Sequence, residues 1–339
     1  MVRPISRRSL LGSLVAVPAT VLASRASAQS GPSSSPVPFL PGDVVAGCTL
    51  LNDPNDDHRG RGRILHFDSQ LKLKNTLWLD DTTHIVQGTR FGPDRSLWAF
   101  DTFAYKIVRF APDGRRLPNF TSAPARSFSN ICFAPDGRFF MGENYVGEKS
   151  RVPLRTTLPF MPGTQRFGDG HLFEFSPQGK LLREHATRVH GGMGGFQGLT
   201  SAALVPPDAR RIVYTSESGP KVFQYDLVER RQLPDLVSFE ENKGKFFFDV
   251  AFDRTGRLLV VTGLGIDALD LQGRVTRSYP LGSFGWASMS VPVSTSHVYA
   301  TNFFTGEIAR LDLESGAVVA RAETGIRKSL SGAAEFPGA

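Results

Sequence analysis

The sequence predicts an all-β fold, a six-bladed β-propeller of four-stranded antiparallel blades, on three observations. A Pro-Asp-Gly-like turn recurs along the chain, the segments between turns alternate in the two-residue period of a strand, and no sustained helical period interrupts them. A turn that recurs at blade spacing is the mark of a radially repeated architecture.

The best copies of the turn are Phe91-Gly92-Pro93-Asp94 with Phe110-Ala111-Pro112-Asp113-Gly114, and Phe133-Ala134-Pro135-Asp136-Gly137 with Phe175-Ser176-Pro177-Gln178-Gly179. Phe252-Asp253-Arg254-Thr255-Gly256 with Leu271-Gln272-Gly273 makes a third pair; Val205-Pro206-Pro207-Asp208 and Val293-Ser294-Thr295-Ser296 are looser. Between them, runs such as Lys221-Val222-Phe223-Gln224-Tyr225-Asp226 have the strand period. The predicted blades are 86–121, 128–187, 199–238, 248–280 and 287–322. The segment 43–80 forms a sixth that lacks one strand, with 62–68 as its third, and 325–331 is expected to supply the missing one, because an open edge invites aggregation.

Outside the repeats, Ser6-Arg7-Arg8-Ser9-Leu10-Leu11-Gly12 leads into an apolar run to Ala23, followed by Ala26-Ser27-Ala28. This reads as a twin-arginine signal peptide over 1–28, shorter than the roughly 20 apolar residues of a membrane span and cleaved after Ala28. The expected location is periplasmic or secreted, with the twin-arginine translocase as a partner during export. Residues 29–41 read as a flexible linker, 42–328 as the propeller and 329–339 as a flexible tail. Loss of the signal takes four arginines and no acid, lowering the formal charge from +7 to +3, which removes the basic footprint a nucleic-acid binder needs. Cys48 and Cys132 fall on blades that are not neighbours and in no metal spacing, so they are expected as free buried thiols.

Strand polarity alternates in a blade, so the Pro-Asp-Gly turns share one face and the irregular segments share the other. These segments are the acidic loop 52–58, the excursion 144–169 and the Gly-rich entry 190–197, and function concentrates on such loops. The glycines fit no phosphate-binding spacing, and no G-x-S-x-G, H-E-x-x-H or C-x-x-C pattern occurs. Asp249, inside Phe246-Phe247-Phe248-Asp249-Val250-Ala251-Phe252, is costly to bury unless paired or bound to a cation. It reads either as a site carboxylate or as a residue that accepts backbone N–H groups at a strand opening. His190 is a candidate general base. Glu143, Asn144 and Glu217 end second strands on the same face, with Asp101 in an equivalent place, and give that mouth an oxygen-rich character suited to calcium or magnesium.

The repeats resemble the NHL-repeat and gluconolactonase / senescence-marker-protein propellers across nearly the whole mature chain. In the second family, Asn and Asp at the openings of certain first strands, with a Glu, hold a divalent metal. The matching stretches are Phe128-Ser129-Asn130-Ile131, Gln197-Gly198-Leu199 and Phe247-Phe248-Asp249-Val250. The resemblance implies Asn130, Gln197 and Asp249 as site residues. With the acidic mouth and the Gly-rich entry, the expected site of a lactonase- or esterase-like hydrolase has Asn130, Asp249 and Glu143 as metal ligands, Asp249 and His190 as catalytic groups, and Gln197, Glu217 and Asn144 as substrate contacts. Asn130 and Asp249 stand one residue nearer their turns than the family's ligands, so only a strand bulge restores their aim. The other reading of the chain is a non-catalytic binding or scaffold propeller, with a small-molecule, glycan or protein ligand on the loop-rich face.

Overall fold

The computed structural model describes residues 36–53, 60–79, 86–102, 105–122, 126–144, 169–189, 198–216, 219–239, 246–290 and 296–337. Each turn copy folds as its residues dictate. In Ala134-Pro135-Asp136-Gly137, Pro135 presets the first turn residue, Asp136 Oδ1 accepts from Arg138 N at 3.0 Å, and Gly137 takes φ 85°. The turn closes with Gly137 N donating to Ala134 O at 3.0 Å and Ala134 N to Arg138 O at 2.8 Å. The same pair of bonds recurs at Ala111 to Arg115 and at Asp253 to Arg257.

The strands form six sheets, each an antiparallel meander around a common channel. Blade one holds β1 (Val44–Leu51), β2 (Gly60–Phe67) and β3 (Leu73–Leu79). Blade two runs β4 (Val86–Phe91), β5 (Leu97–Asp101), β6 (Lys106–Phe110) and β7 (Arg116–Phe120). Blade three runs β8 (Phe128–Phe133), β9 (Phe139–Glu143), β10 (Leu172–Phe175) and β11 (Leu181–His185). Blade four has β12 (Leu199–Leu204), β13 (Arg211–Ser216) and β14 (Lys221–Asp226), its outer strand broken into β15 (Arg231–Gln232) and β16 (Val237–Ser238). Blade five runs β17 (Val250–Phe252), β18 (Leu258–Val261), β19 (Gly265–Leu269) and β20 (Val275–Pro280). Blade six runs β21 (Trp286–Met289), β22 (His297–Asn302), β23 (Glu307–Asp312) and β24 (Val318–Glu323).

The ring is closed by β25 (Gly332–Glu335), which pairs with β1 in the register Val44 to Glu335 and Gly47 to Gly332. This corrects the expectation of 325–331, and the strand lies inside the stretch read as a tail. The reason is the apolar pattern: Ala333, Ala334 and Phe336 are buried, which the polar stretch before Ser329 cannot match. At the other end of the described residues, Phe39 belongs to the core although it falls in the stretch read as a linker. Its ring meets those of His66, Phe91 and Phe336 at 4.9, 5.3 and 5.7 Å.

Among the described residues, six apolar clusters make the core, each lying between two adjacent blades. Period-two alternation sends neighbouring residues to opposite clusters: Val45 packs toward blade two, while Val44, Ala46 and Cys48 pack toward Tyr299 and Ile308 of blade six. Middle strands are thus buried on both faces, which is why β18 reads Leu-Leu-Val-Val without a polar residue. Cys48 and Cys132 are free thiols, as their placement on blades one and three requires.

Candidate functional site

The innermost strands share a backbone device. The register slips by one residue between Val86 and Gly88, Phe128 and Asn130, Leu199 and Ser201, and Trp286 and Ser288. In blade five, Phe248 N donates to Val261 O and Val261 N to Asp249 O, the same two residues facing one. Gly88, Asn130, Ser201, Asp249 and Ser288 therefore stand at one level of the channel. A bulge therefore sits beside both Asn130 and Asp249.

At this level Asp249 is a hub between blades. Its Oδ1 accepts from Ser201 Oγ at 2.5 Å and Val250 N at 2.9 Å; its Oδ2 accepts from Met289 N at 2.8 Å and Ser288 Oγ at 3.2 Å. The charge is met by Arg90 of blade two, whose Nη2 lies 3.5 Å from Oδ1. Arg90 spans the channel, its Nη1 donating to Met289 O at 3.2 Å and Ala333 O at 3.4 Å. Ser129 Oγ adds a bond to Leu199 O at 3.2 Å. These groups tie the inner strands of all six blades to one another.

Asp249 so arranged accepts backbone N–H groups at a strand opening and has no oxygen lone pair left for a metal. Asn130 Oδ1 is buried without a hydrogen-bond partner, yet it is a single oxygen where calcium takes about six to eight. Glu143 accepts from Arg126 Nη1 at 3.1 Å and Gly170 N at 3.0 Å, fastening the two ends of the excursion that follows it. Burial pushes its carboxyl above the usual value, with Arg126 offsetting part of the rise. Asn144 is buried beside it, its N donating to Ser127 O at 2.7 Å. The described residues do not fit the divalent metal that the resemblance implies, and among them no group of three or more His, Cys, Asp or Glu is gathered for one. His190, Gln197 and Glu217 lie outside the described residues, as do all of the acidic loop beyond Asp53 and most of the 144–169 excursion.

The loop-rich face carries an exposed aromatic group. Phe284, between β20 and β21, and Phe304, between β22 and β23, stack with ring centroids 5.9 Å apart and planes 28° from parallel. They are 37% and 40% exposed. Phe246 and Phe248 each meet Phe284 at 6.4 Å, Phe303 meets Phe304 at 5.4 Å, and Leu264 is 54% exposed in the turn beside Gly263. The backbone makes room for this group. A Cβ on Gly263 would come within 2.7 Å of the Phe284 ring, and one on Gly285 within 2.6 Å of Phe304, and both glycines have positive φ. The signal available in the sequence was position: these phenylalanines stand in loops rather than in the alternating runs.

No protein-family model and no curated protein matches the chain. Solved structures do, at low identity. A chain of a nidogen/laminin complex has a TM-score of 0.61 at 12% identity, over 87% of this chain and 98% of that one. A Bacteroides caccae protein of unknown function has a TM-score of 0.57 at 14% identity, over 88% and 99%. A catalytically inactive virginiamycin B lyase from Staphylococcus aureus, with quinupristin, has a TM-score of 0.52 at 13% identity, over 85% and 88%. Such identities establish the β-propeller fold; activity belongs to sites rather than to folds.

Proposed function

We propose that this protein is an exported, non-catalytic β-propeller that holds a protein partner against its loop-rich face, reaching the periplasm or the cell exterior by the twin-arginine route. The observation that carries this reading is the exposed Phe284–Phe304 stack with Phe246, Phe248 and Leu264 around it. Exposed, contiguous aromatic groups on a rigid scaffold suit a protein interface, where Phe is enriched and burial supplies the affinity. The nidogen/laminin complex, similar in fold, is by its name an assembly of two proteins. The other reading, a lactonase- or esterase-like hydrolase with a divalent metal at the mouth, requires Asp249 to exchange its donors for a cation.

The test compares the wild type with a Phe284→Ser/Phe304→Ser variant by cross-linking in the periplasm of the source cell. A defined partner held near one-to-one by the wild type, and recovered about tenfold less by the folded variant, supports the proposal. Elemental analysis showing a stoichiometric divalent ion, with lactone hydrolysis lost in a folded Asp249→Asn variant, overturns it in favour of the hydrolase.

A further inference from the structure

At the other end of the channel, toward the Pro-Asp-Gly turns, lies a cavity of about 570 Å3 walled by the last residues of the inner strands of blades one to five. Small-molecule sites have volumes of about 300–1,000 Å3. The space follows from residue size. The register position held by Arg90 in blade two and Cys132 in blade three carries only alanine in the next two blades and in blade one, at Ala203, Ala251 and Ala334. Arg90, stretched across the channel, forms the inner end, and Ile131, Leu204 and Phe252 give apolar walls.

Among the described residues, three charged ones line this space: Arg90, Arg95 and Glu335. Arg90 is engaged by Asp249 and two carbonyls, and Glu335 Oε2, which has no hydrogen bond, faces His297 Nε2 at 3.2 Å. Arg95 is different. Its guanidinium carbon lies 4.7 Å over the Phe336 ring, its Nε is buried with no hydrogen-bond acceptor, and among the described residues no carboxylate pairs with it. It also holds φ 61° at the turn position that Gly137 and Gly256 occupy in blades three and five. Arg95 thus holds a backbone conformation that favours glycine and, with no carboxylate partner among the described residues, leaves guanidinium donors open to a ligand at the cavity.

We infer that this cavity binds a compact, mainly apolar organic monoanion, its carboxylate accepting hydrogen bonds from Arg95 and its hydrocarbon part filling the space beside Ala203, Ala251 and Leu204. Glu335 has His297 beside it, whereas Arg95 has no ionisable partner among the described residues, so the lining favours an anion at Arg95. The apolar walls exclude a small, strongly hydrated ion as the preferred guest. The site is independent of the aromatic face and stands whether or not that face holds a protein.

Isothermal titration of the protein with octanoate, and with octan-1-ol as a neutral match, tests the assignment. Saturable one-to-one octanoate binding, about tenfold tighter than the alcohol, is expected. Arg95→Gly frees the turn of its unfavourable φ, so the variant keeps or raises its Tm while losing the preference for the anion. Cys132→Phe fills the cavity and weakens both guests. Absence of saturable octanoate binding to the wild type overturns the inference. So does binding that Arg95→Gly leaves unchanged, which decides the matter alone if Cys132→Phe does not fold.

Discussion

Asp249 joins three blades through hydrogen bonds from Ser201, Ser288 and Met289 N, and a fourth through Arg90. Asp249→Ala leaves the buried Arg90 charge without its carboxylate and several donors without acceptors, a loss of about 3–5 kcal/mol, read as a drop in the urea midpoint. An unchanged midpoint would remove the staple role. A second residue-scale outcome concerns acid. Burial holds the imidazoles of His66 and His185 below their usual value of 6.5, with Asp43 and Glu174 only partly opposing it. The unfolded chain then binds these protons first, so stability falls as the pH drops below 6.5. Asp43 acts in the same direction at lower pH. Burial raises its carboxyl, but hydrogen bonds from Lys74, Leu40 N and His66 outweigh that, and their stabilisation is lost as pH falls through the folded value. Glu143, raised by burial, runs the opposite way, contributing below its unfolded value and losing that contribution as pH rises. Denaturant midpoints at pH 7 and pH 5 should therefore differ, and a His66→Gln/His185→Gln variant should show a smaller difference.

For single elements, the hydrogen-bonded edge of β1 depends on four residues from the far end of the chain. Ending the chain after Ser331 bares that edge and removes Ala333, Ala334 and Phe336 from the core. The expected result is association on a sizing column and loss of a single cooperative melt; a monomeric, cooperatively melting truncation would mean that β25 is dispensable. The turns were legible in the sequence because each is a local matter of Pro, Asp and Gly within five residues, and the blade limits followed from them. The closing strand was misplaced by a few residues because its partner is nearly the whole chain away, and short alanine-rich segments carry little strand signal. The bulges at Ser129 and Thr200 were not legible, since a register slip is a backbone event that many residue types tolerate.

Across the whole molecule, the division into two faces was legible, because it follows from strand polarity alone. What fills the channel was not. Arg90 and Asp249 are far apart in sequence, and only ring closure brings the guanidinium to the carboxylate and to Met289 and Ala333. The same distance hid the cavity, whose alanines look like ordinary small core residues until they are seen at one level. The aromatic face was hidden by the abundance of Phe, most of which does pack between blades.

The pairing of β25 with β1 has a consequence in time. The ribosome makes β25 after all the other blades, so the first blade waits through their synthesis with its inner strand missing. Ring closure is then a single late step that converts an open row of blades into a sealed one. A nascent chain stalled shortly before that point would expose β1 to proteases, whereas the released chain would protect it.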